Sequence, residues 1–411
     1  TSSRRSFMRI AVTANGPGEV AGWLRPLLRS LYGKAPDTDA HVFLVPDEYA
    51  TGFEAQTVRA LFPQAHVYDP KSYVRFALGR HVDGVPQDVD VVLYIGGDLL
   101  HAARVHARLK GKAATYKFSR HRYRNLFERA FAVDEKNAEQ LADWGTPSDR
   151  IVRVGNLAID GALLEASAAI EPGTPEDGIL IMPGSRPYEV SNLVPFYFTA
   201  ALRILRERPD LPIAFGISPF TPRDKLRAAI ERGGDPRVYS RRGRLTGAHG
   251  QTFVESLEGD VRIPVVNNAL AAATRARLVL TIPGTKTIEL AVLGKPAITI
   301  TPLNAPEIIT FNGPLTYLDR VPIVGVPLKR AVAVGVSNRF KYHTQPNIDA
   351  GEMLVHEVHG TITPGRIARI ALDRYDDTAW IASTGNRLSA LYRQHAGAAE
   401  RMAGELLALA A

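Results

Sequence analysis

The stretch MPGSRPYEV, residues 182–190, follows the short apolar run GILIM, residues 178–182, and precedes a long helical pattern. Such a sequence predicts a strand that ends in a tight turn and leads directly into a helix. The N–H groups at a helix N-terminus carry partial positive charge and attract anions. Arg186 adds a fork of donors suited to phosphate. The junction therefore has two interpretations, a plain helix cap and an anion-binding loop.

Short apolar runs alternate with helical patterns on both sides of this junction. The strand-like runs are RIAVTA (9–14), HVFLV (41–45), DVVLYI (90–95), ATYKF (114–118), AFAVD (130–134), PIAFGIS (212–218), RLVLTIPG (277–284) and PAITIT (296–301), with weaker ones at VYS (238–240) and DVRIPVV (260–266). This alternation predicts a parallel sheet with helices on both faces. Because the pattern restarts near residue 178, we expect an α/β protein with two doubly wound halves.

The chain has 411 residues, which is enough for two domains of ordinary size. A stretch rich in Ala, Gly, Pro and acidic residues, 156–178, separates the two halves. We therefore expect an N-terminal domain over residues 1–160 and a second domain over residues 161–375. The last segment, residues 376–411, has a helical pattern, and we expect it to pack back toward the N-terminal domain.

The composition narrows the possible functions. The chain has no cysteine, which excludes disulfides, zinc–thiolate sites, iron–sulfur clusters and a cysteine nucleophile. It shows no export signal and no apolar run of membrane-spanning length, so we expect a cytoplasmic protein. The formal charge of +8 and the pI near 9.6 predict anionic partners such as nucleotides, nucleic acid or acidic lipid.

In open α/β sheets, ligands bind beyond the carboxyl ends of the strands. After the first strand-like run comes NGPGEVAGW, residues 15–23, where glycines permit close approach of a ligand and Glu19 begins a helix. After the run at 90–95, YIGGDLLH places Asp98 at the strand mouth. Each carboxylate has two interpretations, a general base and a helix cap.

A second anion-friendly loop is TIPGTKTIELAVLGKP, residues 281–296. Its turn opens a helix with two hydroxyls and Lys286, which suit a diphosphate. Glu289 lies four residues after Thr285 on the same helix face, and its carboxylate suits the two hydroxyls of a ribose. A plain helix cap is again the structural alternative.

Other motifs point away from metal and hydrolase chemistry. HEVH, residues 356–359, is one residue short of the zinc-binding H-E-x-x-H, so we interpret it as solvated surface. G-x-S-x-G does not occur in the sequence, and we assign no D-x-D metal motif of the glycosyltransferase kind. DPRVYSRRGRLTG, residues 235–247, has the composition of an exposed basic loop.

The segment 101–130 holds nine Lys and Arg residues and one acid, Glu128. Its interleaved aromatic residues are Tyr116, Phe118, Tyr123 and Phe127. This mixture fits a solvated basic face, an anionic membrane surface or, less well, a nucleic-acid surface. The apolar and basic stretch 321–343 is a further candidate for membrane contact.

The motifs, taken in order, resemble those of lipid-A-disaccharide synthase and related GT-B glycosyltransferases over residues 9–375. The matching segments are GEVAGW (18–23), YIGGDLL (94–100), VGNLAIDG (154–161), MPGSRPYEV (182–190), PGTKTIELAVLGKP (283–296) and QPNIDAGEMLVHE (345–357). The resemblance implies two Rossmann-type domains facing a central cleft. It also implies an inverting, metal-independent transfer of sugar from a nucleotide sugar, UDP-linked above all, to a lipid-linked or amphiphilic acceptor at the inner face of the membrane, without a cofactor.

The resemblance also implies roles for individual residues. The catalytic base would be Asp98, with Glu19 nearby as the alternative. The donor would be held by Gly184, Ser185, Arg186, Gly284, Thr285, Lys286, Thr287, Glu289 and Asn347. The acceptor loop would comprise Asn15, Gly16, Gly18 and Gly22. No residue is assigned to a metal.

The sequence departs from the family at several positions. Trp23 stands where the family has Asp, Asp98 aligns only with a shift, and Glu352 replaces Arg. The stretch 312–344 is also longer than its counterpart. The donor loops thus fit better than the acceptor loops, and we expect a nucleotide-sugar transferase that need not make lipid A disaccharide. The alternatives are a UDP-N-acetylglucosamine 2-epimerase, whose acidic pair and His are not recognisable here, and a nucleic-acid-binding protein using residues 101–130.

Overall fold

Two α/β units, each with its own sheet, make up the chain. The computed structural model describes residues 7–47, 52–218, 221–248, 250–304 and 340–411. The first unit comprises Thr1–Leu164 and Gln394–Ala411, and the second comprises Glu165–Arg393. The predicted fold class, two doubly wound Rossmann-like halves, is confirmed.

The first unit contains seven parallel strands among its described residues. They are β1 (Arg9–Ala14), β2 (Asp39–Leu44), β3 (His66–Tyr68), β4 (Val91–Tyr94), β5 (Lys112–Tyr116), β6 (Arg129–Ala132) and β7 (Ile151–Arg153). Their spatial order is β3-β2-β1-β4-β5-β6-β7. Apolar side chains on consecutive strand positions are buried, as expected for a sheet covered on both faces.

Helices cover both faces of this sheet. The first begins with the turn Pro17–Glu19, passes through a π-helical turn at Val20–Leu24 and continues as α1 (Arg25–Lys34). It is followed by α2 (Glu54–Leu61), α3 (Pro70–Ala77), α4 (Leu99–Leu109), α5 (Glu135–Asp143) and α6 (Leu157–Ala166). A π-turn is rare and marks functional positions more often than chance.

The second unit has an eight-stranded sheet among its described residues. Its strands are β8 (Ile179–Ile181), β9 (Ile213–Gly216), β10 (Gly243–Ala248), β11 (Gln251–Ser256), β12 (Arg262–Val266), β13 (Leu278–Thr281), β14 (Ala297–Pro302) and β15 (His356–Gly360). Their order is β10-β11-β12-β9-β8-β13-β14-β15. The β10–β11 and β11–β12 pairs are antiparallel, and the other pairs are parallel.

Seven helices among the described residues complete the second unit. They are α7 (Pro187–Glu207), α8 (Arg223–Arg232), α9 (Ala269–Arg275), α10 (Thr285–Val292), α11 (Gln345–Ala350), α12 (Pro364–Asp376) and α13 (Thr378–Arg393). The central helix α7 is buried along most of its length, and Phe196, Tyr197 and Phe198 have no exposed surface. Within the described residues, no helix is long and apolar enough to cross a bilayer.

Three local predictions are wrong. The weak run at 238–240 is not a strand, because a 3₁₀ turn, Pro236–Val238, is followed by Tyr239 in the left-handed region. The expected basic loop 235–247 instead leads into β10, whose hairpin partner is β11. HEVH is not solvated surface but β15, which pairs in parallel with β14.

The C-terminal helices belong to different units. Sequence analysis expects residues 376–411 to form helices that pack back toward the N-terminal domain. In the structure α13 lies in the second unit and α14 (Ala398–Ala410) lies in the first. Met402 and Leu406 of α14 are fully buried in the core of the first unit. In addition, Lys112 Nζ donates to the Leu409 carbonyl oxygen at 2.8 Å.

In each sheet, the chain adds strands first on one side of the first strand and then on the other. In the first unit the chain runs from β1 outward to β2 and β3 and returns to β4 on the other side. In the second unit it runs from β8 outward to β9 and returns to β13. The loops at such a switch point diverge and leave a crevice. The predicted ligand loops therefore follow β1 and β4 in the first unit and β8 and β13 in the second.

Close packing of α6 on the π-turn gives a stability prediction. A Cβ atom at Gly161 would lie 2.6 Å from the Gly22 carbonyl oxygen, whereas one at Gly404 in α14 would meet nothing within 4 Å. We expect Gly161→Ala to destabilise the protein by about 1–3 kcal/mol through overpacking. The matched helical change Gly404→Ala should stabilise it by about 0.5–1 kcal/mol. Urea denaturation measures both, and a neutral Gly161→Ala would contradict this packing.

Candidate functional site

Glu19 lies at the switch point of the first unit, against the loop that follows β4. The Asn15 N–H donates to Glu19 Oε2 at 3.2 Å. A Cβ atom at Gly96 would lie only 1.5 Å from the same oxygen. Glycine at position 96 is therefore required for the carboxylate to occupy this place, and the loops after β1 and β4 meet at Glu19.

The environment of Glu19 favours its neutral form. Burial raises the pKa of Glu19 to about 7, and the nearby Asp47 charge adds to the increase. Backbone hydrogen bonds from Asn15 and Gly97 oppose the shift but do not cancel it. A carboxyl group that titrates near neutral pH can accept and return a proton during a reaction.

Asp98 has a different environment, although it is only two residues from Gly96. Its side chain is exposed, and its Oδ1 accepts a hydrogen bond from the Leu100 N–H at 2.8 Å as the N-cap of α4. In this structure Asp98 is therefore a helix cap, which is one of the two interpretations that the sequence allows. A catalytic role for either carboxylate stays a prediction.

The four residues of the expected acceptor loop differ in how far they are exposed and in what they contact. Gly16 is buried, and its carbonyl oxygen accepts from the N–H groups of Glu19 and Val20 at 3.1 Å. Gly22 packs against α6, and the Asn15 N–H holds Glu19. Gly18 is exposed and its Cβ position faces open space. Gly18 is thus the member of this loop whose surroundings leave most room for a ligand.

In the second unit, the loop after β8 is organised by Glu189. The N–H groups of Ser185 and Arg186 donate to Glu189 Oε2 at 2.8 and 2.9 Å. Gly184 has a φ of +99°, and a Cβ atom there would lie 2.2 Å from that oxygen. Sequence analysis assigned no role to Glu189, although its place three residues after Arg186 is the spacing of a capping box.

This arrangement corrects one expected anion contact. The backbone N–H groups at residues 185 and 186 are directed at the protein's own carboxylate, so in this structure they do not point at a ligand. The remaining donors of the loop are the side chains of Ser185 and Arg186. Arg186 is half-exposed, with Nε 4.0 Å from Glu189 Oε1.

The loop after β13 also differs in part from expectation. Thr287 is buried, and its Oγ1 donates to the Gly284 carbonyl oxygen at 2.7 Å, so its hydroxyl closes the first turn of α10. The expected diphosphate contact from Thr287 is therefore not supported. Gly284 and Thr285 are exposed, and no atom lies within 4 Å of a Cβ position at Gly284. This part of the loop has room for a ligand.

Lys286 and Glu289 form an ion pair at the start of α10. Lys286 Nζ lies 2.6 Å from Glu289 Oε2 and 3.8 Å from Glu165 Oε1. Burial opposes the charge on Lys286, but the two carboxylates outweigh it and raise the pKa of Lys286. Burial raises the pKa of Glu289, with Lys286 acting in opposition. The lysine charge is thus directed at protein carboxylates, and a ligand would have to share it.

Asn347 is not available to a ligand, contrary to expectation. It is fully buried, and its Nδ2 donates to the Val355 carbonyl oxygen at 2.8 Å and to Glu357 Oε1 at 2.7 Å. Its Oδ1 accepts from the N–H groups of Leu354 and Val355 at 2.8 and 2.7 Å. These four hydrogen bonds use the amide completely, so Asn347 stabilises the segment between α11 and β15.

A cavity of about 220 Å³ lies beside the two loops of the second unit. Pro283 and Ile282 contribute to its wall from the loop after β13, and Tyr188 contributes from the start of α7. The other lining residues are Asn192, Leu193, Val238, Ile300, Thr301, Pro302 and His343. A mostly apolar wall with a few polar groups is typical of small-ligand sites. Sequence analysis missed this cavity, because its lining comes from five separated segments.

The basic segment 101–130 does not form the expected aromatic surface. Three of its four aromatic side chains, Tyr116, Tyr123 and Phe127, are buried in the cores of the first unit. Phe118 is 38% exposed. The three buried rings are therefore not accessible to nucleic-acid bases or to a bilayer. Residues 321–339 of the second proposed membrane stretch, and most of the long insertion, lie outside the described residues.

Comparison with known proteins supports the fold. No family model matches the chain, and no curated protein matches it significantly. Among solved structures, an S. aureus MnaA–UDP co-structure has a TM-score of 0.56 at 15% identity, covering 98% of this chain and 97% of that one. For UDP-GlcNAc 2-epimerase from Neisseria meningitidis, bound to UDP-GlcNAc, the TM-score is 0.51 at 13% identity, with 98% and 100% covered.

A glycotransferase of kitacinnamycin is similar to the same degree, with a TM-score of 0.51 at 16% identity and coverage of 98% and 100%. At such identities the likeness establishes the fold, which is two Rossmann-like units of the GT-B type. The finer resemblance to lipid-A-disaccharide synthase is not shown by these comparisons.

The pKa of Glu19 predicts how stability changes with pH. Between about pH 4.5 and 7, an unfolded glutamate is ionised while Glu19 in the folded protein keeps its proton. The native state then binds more protons, so the free energy of unfolding falls as pH rises through this window. We expect Glu19→Gln to remove this contribution. Denaturation of both proteins at several pH values measures it, and equal pH dependence of the two would contradict the raised pKa.

Proposed function

We propose that this chain is an enzyme that acts on a nucleotide sugar, with UDP as the nucleotide. The observation that carries the proposal is the second unit's switch point, where Arg186 and the exposed turn at Gly284–Thr285 follow strands β8 and β13, which pair directly. The cavity beside both loops supplies a binding surface for the rest of the nucleotide. The solved structures of similar fold include proteins bound to UDP and to UDP-GlcNAc.

The cavity suits a planar base next to a diphosphate. Apolar side chains such as Ile282 and Val238 can contact the faces of a base, and Thr301 can bond to its edge. The Asn192 amide already donates to the Tyr188 carbonyl oxygen and accepts from the Asp235 N–H, both at 3.0 Å. The Arg186 guanidinium would contact the diphosphate, because it is a half-exposed side chain on the neighbouring loop. Glu289, held by Lys286, would accept hydrogen bonds from the ribose hydroxyls.

For the chemical step we propose Glu19 as the proton-transferring group. An acceptor hydroxyl becomes a good nucleophile only as its proton leaves, and a base with a pKa near 7 is well matched to that task. Burial and the pKa of about 7 favour Glu19 over Asp98, whose carboxylate is exposed and caps α4. This assignment reverses the order of preference expected from the sequence.

Glycosyl transfer, as a metal-independent inversion at the sugar's anomeric carbon, is one reaction that this arrangement would serve. Arg186 would stabilise the charge that develops on the departing nucleoside diphosphate. The lipid acceptor was implied only by the resemblance to lipid-A-disaccharide synthase, and the membrane surface expected at segment 101–130 loses support because most of its aromatic side chains are buried. We therefore propose a hydroxyl-bearing acceptor without assigning it to lipids.

A UDP-N-acetylglucosamine 2-epimerase is the other candidate, and several solved structures of similar fold carry this name. The UDP-GlcNAc 2-epimerase from N. meningitidis, with a TM-score of 0.51, supports it. Epimerisation at C2 also needs a group that removes a proton, and Glu19 could supply it. Incubation with UDP-GlcNAc in D₂O separates the reactions: deuterium enters at C2 without an acceptor in an epimerase, whereas a transferase releases UDP only with an acceptor. If no UDP-sugar is processed in either assay, the proposed function is wrong.

Removal of the Arg186 side chain should weaken nucleotide binding. We expect Arg186→Ala to lose about 2 kcal/mol of UDP binding, which is roughly a 30-fold higher Kd, because a charge-assisted contact is lost. Isothermal titration with UDP measures the change. Arg232→Ala, at an exposed position near the end of α8, is the control and should bind UDP normally. Unchanged affinity in Arg186→Ala would remove this residue from the site.

Substitution of the two carboxylates distinguishes base from cap. We expect Glu19→Gln to lose roughly 100-fold or more in turnover, because an amide cannot accept the proton. Asp98→Asn should remain active, since an asparagine still accepts the hydrogen bond that caps α4. UDP affinity should stay normal in both variants. An active Glu19→Gln together with an inactive Asp98→Asn would assign the base to Asp98 instead.

A further inference from the structure

Two histidines and an aspartate lie close together at the amino ends of β2 and β3 in the first unit, whereas Glu19 lies beyond the carboxyl ends of the strands. Asp39 is the first residue of β2 and His66 is the first residue of β3, so the group lies at the amino ends of the strands, away from Glu19. Asp39 Oδ1 lies 3.0 Å from His41 Nε2 and 3.6 Å from His66 Nε2. The other carboxylate oxygen, Oδ2, accepts from Arg9 Nε at 2.5 Å.

The hydrogen bonds behind His41 determine which ring nitrogen carries its proton. Tyr68 Oη donates to the Gly84 carbonyl oxygen at 2.5 Å, because a carbonyl can only accept. Tyr68 has one proton to give, so His41 Nδ1, at 3.0 Å from the same Oη, must be the donor in that contact. The neutral His41 ring therefore presents a lone pair at Nε2.

That lone pair faces a negative charge. His41 is 3% exposed in its side chain, and its Nε2 has no hydrogen-bond partner. A nitrogen lone pair 3.0 Å from the Asp39 carboxylate oxygen is repelled. A positive group between the two atoms would remove the repulsion. It can be a second proton on the ring, which burial opposes, or a metal cation.

We propose that Asp39 Oδ1, His41 Nε2 and His66 Nε2 bind one divalent transition-metal ion of the zinc class, with water as the fourth ligand. Bonds of about 2.0–2.2 Å in a tetrahedron place neighbouring ligand atoms about 3.4 Å apart. The separations of 3.0 and 3.6 Å from Asp39 Oδ1 lie on either side of this value. Imidazole and carboxylate ligands suit zinc and its neighbours.

The side chain of His66 must turn to complete the site. Its ring stacks on that of His41 with 4.7 Å between centroids and 9° between planes, so the lone pairs of the two rings lie in nearly parallel planes. The side chain of His66 is 53% exposed, which leaves room for the rotation. Tyr68 and Arg9 already orient His41 and Asp39 from behind, as partners of metal ligands commonly do.

Metal titration of the full chain tests the proposal. Protein without an affinity tag is stripped with a chelator and titrated with Zn²⁺ by calorimetry. We expect one equivalent to bind with a Kd of 10 µM or below, and a higher melting temperature in Zn²⁺. Co²⁺ in the same site should give the visible absorption of a tetrahedral complex.

Two histidine variants make the test specific. His66→Ala should weaken Zn²⁺ binding at least 10-fold and abolish the Co²⁺ spectrum. His121→Ala is the control, because His121 is exposed and does not line the cavity beside His66. No Zn²⁺ binding by the intact chain, or equal binding by His66→Ala, would overturn the proposal.

Discussion

Parallel pairing of the first strand on both of its edges is the constraint on which each unit depends. β1 pairs with β2 on one side and with β4 on the other, and β8 pairs with β9 and β13. Because crossovers between parallel strands are right-handed, chain segments that leave in opposite directions place their helices on opposite faces. The loops that follow the neighbouring strands therefore diverge. The predicted ligand-binding residues follow β1 and β4 in the first unit and β8 and β13 in the second.

Buried glutamates organise the loops, and their surroundings decide what each can do. Glu357 is buried, which alone would raise its pKa, but hydrogen bonds from Thr344, His343 and Asn347 outweigh burial and lower it. Glu189 likewise receives two backbone N–H groups. Glu19 accepts backbone hydrogen bonds from Asn15 and Gly97, but these do not cancel the effect of burial, and its pKa rises to about 7. The same side chain therefore supports a loop in two places and can exchange a proton in the third.

Strands within continuous apolar runs were predictable from sequence, including the three-residue β8, whereas short strands between polar residues and edge strands were not. Continuous β-branched and apolar residues at 9–14, 90–95 and 296–301 identify strands buried on both faces. β3 and β7 have three residues each, too few for a periodic signal. β15 contains two histidines and a glutamate, and its pairing with β14 supplies the stabilisation that its composition does not indicate.

The sequence by itself determined the doubly wound fold and the position of the glycine-rich loops, because strand periodicity and turn residues are local properties. Only the tertiary structure decided which polar groups remain available to a ligand. Thr287 and Asn347 form their hydrogen bonds within the protein, whereas Glu19 is partly buried by a loop that lies 77 positions further along the chain, at Gly96. Burial and hydrogen-bond partners depend on residues distant in sequence, and they set the pKa.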